Sequence, residues 1–112
     1  MLVEANVSLL EQPCARGRES DLDGIGRPLP FAADESILDL AELEARHHRF
    51  DVVNIKLDKC GGLTEGLMMA RRARELGKRV MVGNMCGTSL AAAPAFVLGQ
   101  FCDVVDLDGP IF

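Results

Sequence analysis

Residues 51–83 read DVVNIKLDKCGGLTEGLMMARRARELGKRVMVG, and this stretch decides the fold. It opens on a β-branched run, Val52 to Lys56, and closes on a second one, Val80 to Gly83, with a segment of helix length between them. Thr64 is placed to cap a helix running to Leu76, and Gly77 to take the left-handed position that ends it, with Lys78-Arg79 beyond. Gly66, Met69, Ala70, Ala73 and Leu76 fall on one stripe of that helix, while Arg71, Arg72, Arg74 and Glu75 point largely elsewhere. The arginine run is therefore a solvated helix face. Neither strand alternates cleanly between apolar and polar residues, which predicts a parallel sheet buried on both faces.

The unit recurs along the chain. Runs of the same kind are Val7 to Glu11, Phe31 to Asp34 and Val104 to Asp108, so the five strand ends fall at 11, 34, 56, 83 and 108. Each spacing is the length of one strand plus one helix. Asp39 with Glu42 three residues on, and Leu38 with Leu43, form the capping box and hydrophobic staple of a helix from Leu40 to His48. His47-His48 end it, where imidazolium meets the helix dipole favourably. Residues 88–99 read as a small-residue helix packed on the sheet, and Gly17 to Ile25 as a short or irregular one. The fold class is α/β, built from parallel βα repeats.

Composition narrows the function. The chain has 112 residues, enough for one fold unit or part of one, with 48% hydrophobic and 26% charged residues. Twelve Lys and Arg against 17 Asp and Glu give a net charge of -5. That balance lacks the positive field nucleic acid requires, so no nucleic-acid partner is expected. The longest apolar stretch, Leu90 to Gly99, contains Pro94 and falls well short of the roughly 20 residues of a membrane-spanning helix, so no membrane partner is expected either. Met1-Leu2-Val3-Glu4 does not resemble a secretory signal, and a cytoplasmic protein is the expectation. Cys14, Cys60, Cys86 and Cys102 are spaced like neither a zinc site nor a disulfide framework and read as reduced thiols.

In parallel α/β folds the chemistry gathers at the carboxyl ends of the strands. Those ends carry Glu11, Asp34, Lys56, the Gly83-Asn84-Met85 turn, and Asp106 with Asp108. The segment Asp51 to Lys56 is echoed by Asp103 to Asp108, aligning Asn54 with Asp106 and Lys56 with Asp108; in each, i and i+2 put two polar groups on one face. Each charge taken alone fits a surface or salt-bridged residue; together they form a site. Two carboxylates from adjacent strands are a hard-oxygen pair suited to Mg²⁺. A lysine one strand on, close to a divalent cation, is placed to act as a general base. Two other readings fit parts of the chain. Gly83 to Ser89 before a helix resembles a phosphate cradle in a non-catalytic α/β binding module, though without a P-loop lysine. Cys14, Cys60 and Cys86, near strand ends, suggest a thiolate metal site.

The segments Leu9-Leu10-Glu11-Gln12-Pro13, Ala33-Asp34-Glu35-Ser36, Asn54 to Glu65 and Asp106-Leu107-Asp108-Gly109-Pro110 resemble, in order, the later part of an enolase-superfamily barrel of the mandelate racemase and muconate-lactonizing type. Within it they most resemble the dipeptide epimerases. The resemblance implies a partial TIM-type (β/α)7β barrel, about its last five strands, with residues 1–112 the C-terminal portion of a barrel domain. It implies Glu11 and Asp34 as metal carboxylates, Lys56 as the catalytic lysine, Mg²⁺ as cofactor, and Asp106 and Asp108 as receptors of the substrate's α-ammonium group. The implied reaction is Mg²⁺-dependent epimerisation of a dipeptide by α-proton abstraction through an enediolate; other reactions of the superfamily, cycloisomerisation or N-acylamino acid racemisation, are the alternatives. The family's opposite-face Lys-x-Lys segment, first metal Asp and N-terminal capping domain have no counterpart here. A full barrel takes about 250 residues. A half-barrel with two open edges is expected to self-associate or pair with an N-terminal half, and to be inactive alone.

Overall fold

A computed structural model describes residues 2–111. Five parallel strands lie side by side in chain order: β1 (Leu10–Glu11), β2 (Phe31–Ala33), β3 (Val52–Lys56), β4 (Arg79–Gly83) and β5 (Val104–Asp106). The helices are α1 (Leu40–Arg46), α2 (Leu57–Cys60), α3 (Leu63–Glu75) and α4 (Ser89–Gly99). Together they make a curled half-barrel.

Register assigns each residue a face. Glu11 pairs with Ala32, Ala32 with Val52, and Val52 with Arg79; Lys56 pairs with Gly83 and Gly83 with Asp106. Partners across parallel strands share a face, as do residues two apart. Glu11, Ala32, Val52, Asn54, Lys56, Met81, Gly83 and Asp106 therefore all point inward. The outward set, including Phe31, Val53, Ile55, Val80 and Val82, packs with Leu43, Met69, Ala73 and Leu98 of the helices to form the main core. A smaller inner cluster of Ala32, Val52 and Met81, flanked by Leu9 and Val104, floors the concave side.

Local chemistry explains most element ends. Asp39 caps α1 by accepting from Glu42 N–H at 2.8 Å, and Glu42 Oε2 reaches back to Leu38 N–H at 2.9 Å. The turn from His47 to Arg49 continues α1 as a 3-10 helix. At the end of α3, Gly77 takes φ +72, with Gly77 N–H on Arg74 O and Lys78 N–H on Ala73 O, the double closure of a Schellman motif. Gly66 lets α3 pack closely on α2: a Cβ there would stand 2.5 Å from Leu57 Cδ2.

Several boundaries differ from the sequence expectations. Thr64 is exposed and does not cap α3; Gly62 does, without a side chain, because the Gly61-Gly62 pair, at φ +96 and +126, reverses the chain and starts the helix earlier. The turn α2 directly after β3 was not signalled. The first strand is Leu10–Glu11 rather than Val7 to Glu11, since it pairs only with β2 and the preceding residues are drawn into turns, Asn6 N–H on Val3 O and Val7 N–H on Leu2 O. Asp34 lies one residue past β2. Asp108 lies past β5, before the 3-10 turn Gly109–Ile111. Gly17 to Ile25 contains a 3-10 turn, Glu19–Leu22.

Candidate active site

The inward face places Glu11, Asp34 and Lys56 at one end of the sheet. Glu11 ends β1 with an exposed side chain, and its Oε1 accepts from Asn54 Nδ2 at 2.6 Å. The two residues belong to strands that do not touch. They meet across β2 because the strand between them presents only Ala32 on that face.

Asp34 is buried and takes an ammonium on each oxygen: Lys56 Nζ on Oδ2 at 2.7 Å and Lys59 Nζ on Oδ1 at 2.9 Å. Burial acts to raise the Asp34 carboxyl, but hydrogen bonds and charge from Lys56 and Lys59 outweigh it and hold it below the usual carboxylate range. Lys59, on α2, also pairs with Glu35 Oε1 at 3.2 Å. Burial pulls the Lys59 amine down; Asp34 and Glu35 together push it above its ordinary value. Lys59 is thus held as a cation, and Lys56, on the strand itself, is the lysine that faces the concave side.

Gln12 fixes the backbone that carries Asp34. Its Oε1 accepts from Asp34 N–H at 2.9 Å and Ser36 N–H at 3.2 Å, while its Nε2 donates to Cys14 O and Ser36 Oγ, both at 2.8 Å. Gln12 adopts φ +44, a left-handed conformation rare for a residue with a Cβ. Gly83 leaves space for the Lys56 stem: a Cβ there would stand 3.0 Å from both Lys56 Cε and Asn54 Oδ1. On β5, Asp106 faces the same side, and the following turn is held against the β4 loop, where a Gly109 Cβ would meet Met85 O at 2.6 Å. Asp106 and Asp108 are exposed, with no ion-pair partner among the described residues.

The donors available for a cation are oxygens. Glu11 and Asp34 are two carboxylates, next to an amide oxygen of Asn54 that is buried and has no hydrogen-bond partner among the described residues. Hard oxygen donors with coordination positions left for water and substrate fit Mg²⁺. Among the described residues no group of three or more His, Cys, Asp or Glu could hold a metal ion, so a cation site built on Glu11 and Asp34 would need further donors. The thiolate alternative finds no support. Burial raises the thiols of Cys14 and Cys60. The phosphate-cradle reading is weakened as well, since Thr88 Oγ1 is committed to capping α4 through Ala91 N–H.

The sequence marks Asn54 only as a polar strand residue, and gives no sign of the roles of Gln12 and Gly83. For Gln12 the usable signal is its place between Glu11 and Pro13.

The profile of the enolase C-terminal domain-like family matches residues 1–106. The chain belongs to that family. Among the relatives of this enolase-type chain are an N-acetyl-D-glutamate racemase from Pseudoalteromonas sp, 45% identical over 106 residues, and the L-Ala-D/L-Glu epimerase of Escherichia coli strain K12, 43% identical over 110 residues. These alignments cover 95% and 98% of this chain and 34% of each relative. A crystal structure of an enolase family member from Agrobacterium tumefaciens with homology to dipeptide epimerases, holding sodium and L-Ala-L-Glu, superposes at a TM-score of 0.94 with 45% identity, over 98% of this chain and 34% of that one. Dipeptide epimerases among the matching structures are complexed with Mg. The enolase-type chain spans about a third of the length of these relatives. Among the described residues no helix is long and apolar enough to cross a membrane.

Proposed function

We propose that this chain carries the cation-binding and proton-abstracting part of an epimerase acting on dipeptides, completed by other parts of a barrel. The observation that carries the reading is the convergence of Glu11, Asp34 and Lys56 on one face at the carboxyl ends of adjacent strands. Glu11 and Asp34 would hold Mg²⁺. The bound cation would supply positive charge to a substrate carboxylate, making the neighbouring α-proton easier to remove. Lys56 takes or returns that proton on one face. Gln12 holds the Asp34 backbone in place, and Lys59 keeps Asp34 ionised. Inversion needs a second acid/base on the opposite face, which a further segment of the barrel would provide. Asp106 and Asp108, without a cationic partner among the described residues, would pair with an α-ammonium group and so select a free amino terminus.

A second reading, racemisation of an N-acylamino acid, is favoured by the similarity to the N-acetyl-D-glutamate racemase. Such a substrate has no α-ammonium group, so the Asp106 and Asp108 carboxylates separate the two. The open edges of β1 and β5 support association with another chain or with an N-terminal half.

The test is α-proton exchange in D₂O, followed by NMR, on L-Ala-L-Glu and on N-acetyl-glutamate, with Mg²⁺ and with EDTA. Exchange of the dipeptide that requires Mg²⁺ and disappears in Lys56→Ala supports the reading. Exchange confined to N-acetyl-glutamate favours the second, and exchange unaffected by EDTA or by Lys56→Ala overturns the assigned roles.

A further inference from the structure

Asn54 is 2% exposed, and its Oδ1 has no hydrogen-bond partner among the described residues. Its orientation is fixed chemically, because only the amide NH₂ can face the Glu11 carboxylate at 2.6 Å. A buried carbonyl oxygen left unpaired is unfavourable, and such an atom in a polar site awaits a donor. Lys56, a flexible donor, is on the same strand face, two residues away. Asn54 Oδ1 and Lys56 Cε both lie 3.0 Å from the point a Gly83 Cβ would occupy, so they border one small gap. Lys56 Nζ itself rests on Asp34 Oδ2.

We propose that Asn54 is a positioning residue for Lys56: its Oδ1 accepts the Lys56 N–H once a cation engages Asp34. This rests on the reading of Glu11 and Asp34 as cation ligands. A divalent cation on Asp34 cancels the attraction that holds Lys56 there and adds repulsion. The lysine stem then turns about its last bonds through the space left by Gly83, and its amine meets the unpaired amide oxygen. Because Nδ2 of the same amide is anchored on Glu11, the resting place exists only where Glu11 has fixed it. Filling the cation site thereby moves the base from a carboxylate that occupies it to a neutral acceptor that aims it.

The experiment is an NMR titration of the ¹³C,¹⁵N-labelled chain with MgCl₂. The expected result is that the Glu11 and Asp34 amides respond, Asn54 ¹³Cγ moves downfield as its carbonyl gains a hydrogen bond, and the Cγ movement is lost in Lys56→Met while the amide responses persist. The same Cγ movement in Lys56→Met, or none in wild type although both amides respond, overturns the proposal and leaves the cation site standing. No response at Glu11 and Asp34 refutes the cation site and the proposal with it. A double-mutant cycle on Mg²⁺ affinity is the second measure. Asn54→Ala should weaken binding about three- to tenfold in wild type, as loss of one hydrogen bond does, and less in Lys56→Met. Equal losses in both backgrounds overturn the proposal, because loss of the Glu11 contact is common to the two.

Discussion

Replacing Gln12 should damage the site through its scaffold rather than its chemistry. Gln12 Oε1 is the partner of two backbone N–H groups, those of Asp34 and Ser36, and both residues are buried, at 5% and 0% exposure. Gln12→Ala leaves both donors unpaired away from water. Each such group costs about 1–3 kcal/mol, so the variant should lose about 2–6 kcal/mol. That is a large share of the roughly 5–15 kcal/mol that holds a domain together. The backbone supplies an internal control. At φ +44 a Cβ is strained, whereas glycine is not, so Gln12→Gly loses the same hydrogen bonds but sheds the strain. Glycine should therefore be more stable than alanine by about 1 kcal/mol, opposite in sign to the usual order in regular structure. Urea unfolding followed by circular dichroism measures both. With a slope of about 1–3 kcal/mol per molar urea, the alanine midpoint should fall by at least about 0.7 M. An alanine variant within about 0.5 kcal/mol of wild type, the ordinary range for a surface change, would refute the account of Gln12 as the clamp on Asp34. Alanine more stable than glycine would refute the strain argument alone.

Gly66→Ala should change stability by less than about 1 kcal/mol in the same urea assay, because its Cβ would stand 2.5 Å from Leu57 Cδ2, the free end of an α2 side chain that can turn aside, while alanine favours the helix by about 1 kcal/mol. Glu19 is 6% exposed; burial acts to raise its carboxyl, but hydrogen bonds from Gly17 N–H and Ser36 and the charge of Arg46 bring it down to about 2. A depressed carboxyl stabilises fully above its unfolded value of 4.5, and that contribution disappears as pH falls from there to about 2; Glu19→Gln should flatten the urea midpoint across this window. Val105, on the edge strand β5, is 52% exposed. Sedimentation velocity should show concentration-dependent association that Val105→Lys reduces, and a monomer at all concentrations would count against association through that edge.

What could be read from the sequence was what local chemistry decides. The strand and helix sequence, the Asp39 cap and the Gly77 terminus depend on neighbours a few residues apart, and the structure keeps all of them. The strand ends named Glu11, Asp34 and Lys56 because a parallel sheet carries its chemistry there. The contacts between them depend on curvature, which no local pattern encodes. The bond from Glu11 to Asn54 spans 43 positions and exists because β2 presents an alanine between them. Thr64 shows the opposite failure. It is a good cap residue in isolation, overruled by a Gly61-Gly62 pair whose left-handed backbone starts the helix at Leu63.

Small residues on the inner face explain why one sheet can serve both stability and chemistry. Ala32 and Gly83 sit on β2 and β4, flanking β3, and each clears a path for a longer side chain: the amide of Asn54 over β2, the stem of Lys56 beside β4. The outward residues of the same strands, Val53, Ile55, Val80 and Val82, carry the main core with the helices. Binding energy for the fold is therefore drawn largely from one face, and the polar groups on the other are free to be arranged by charge. Asp34 illustrates the consequence. A buried carboxylate with no partner would be strongly destabilising, so two ammoniums hold it ionised, and one of them belongs to the lysine best placed to act as a base. In the proposed reading, the pairing that holds Asp34 ionised is the same pairing that opens for Lys56 to reach a substrate, and occupation of Asp34 by another cation is the trigger for that release.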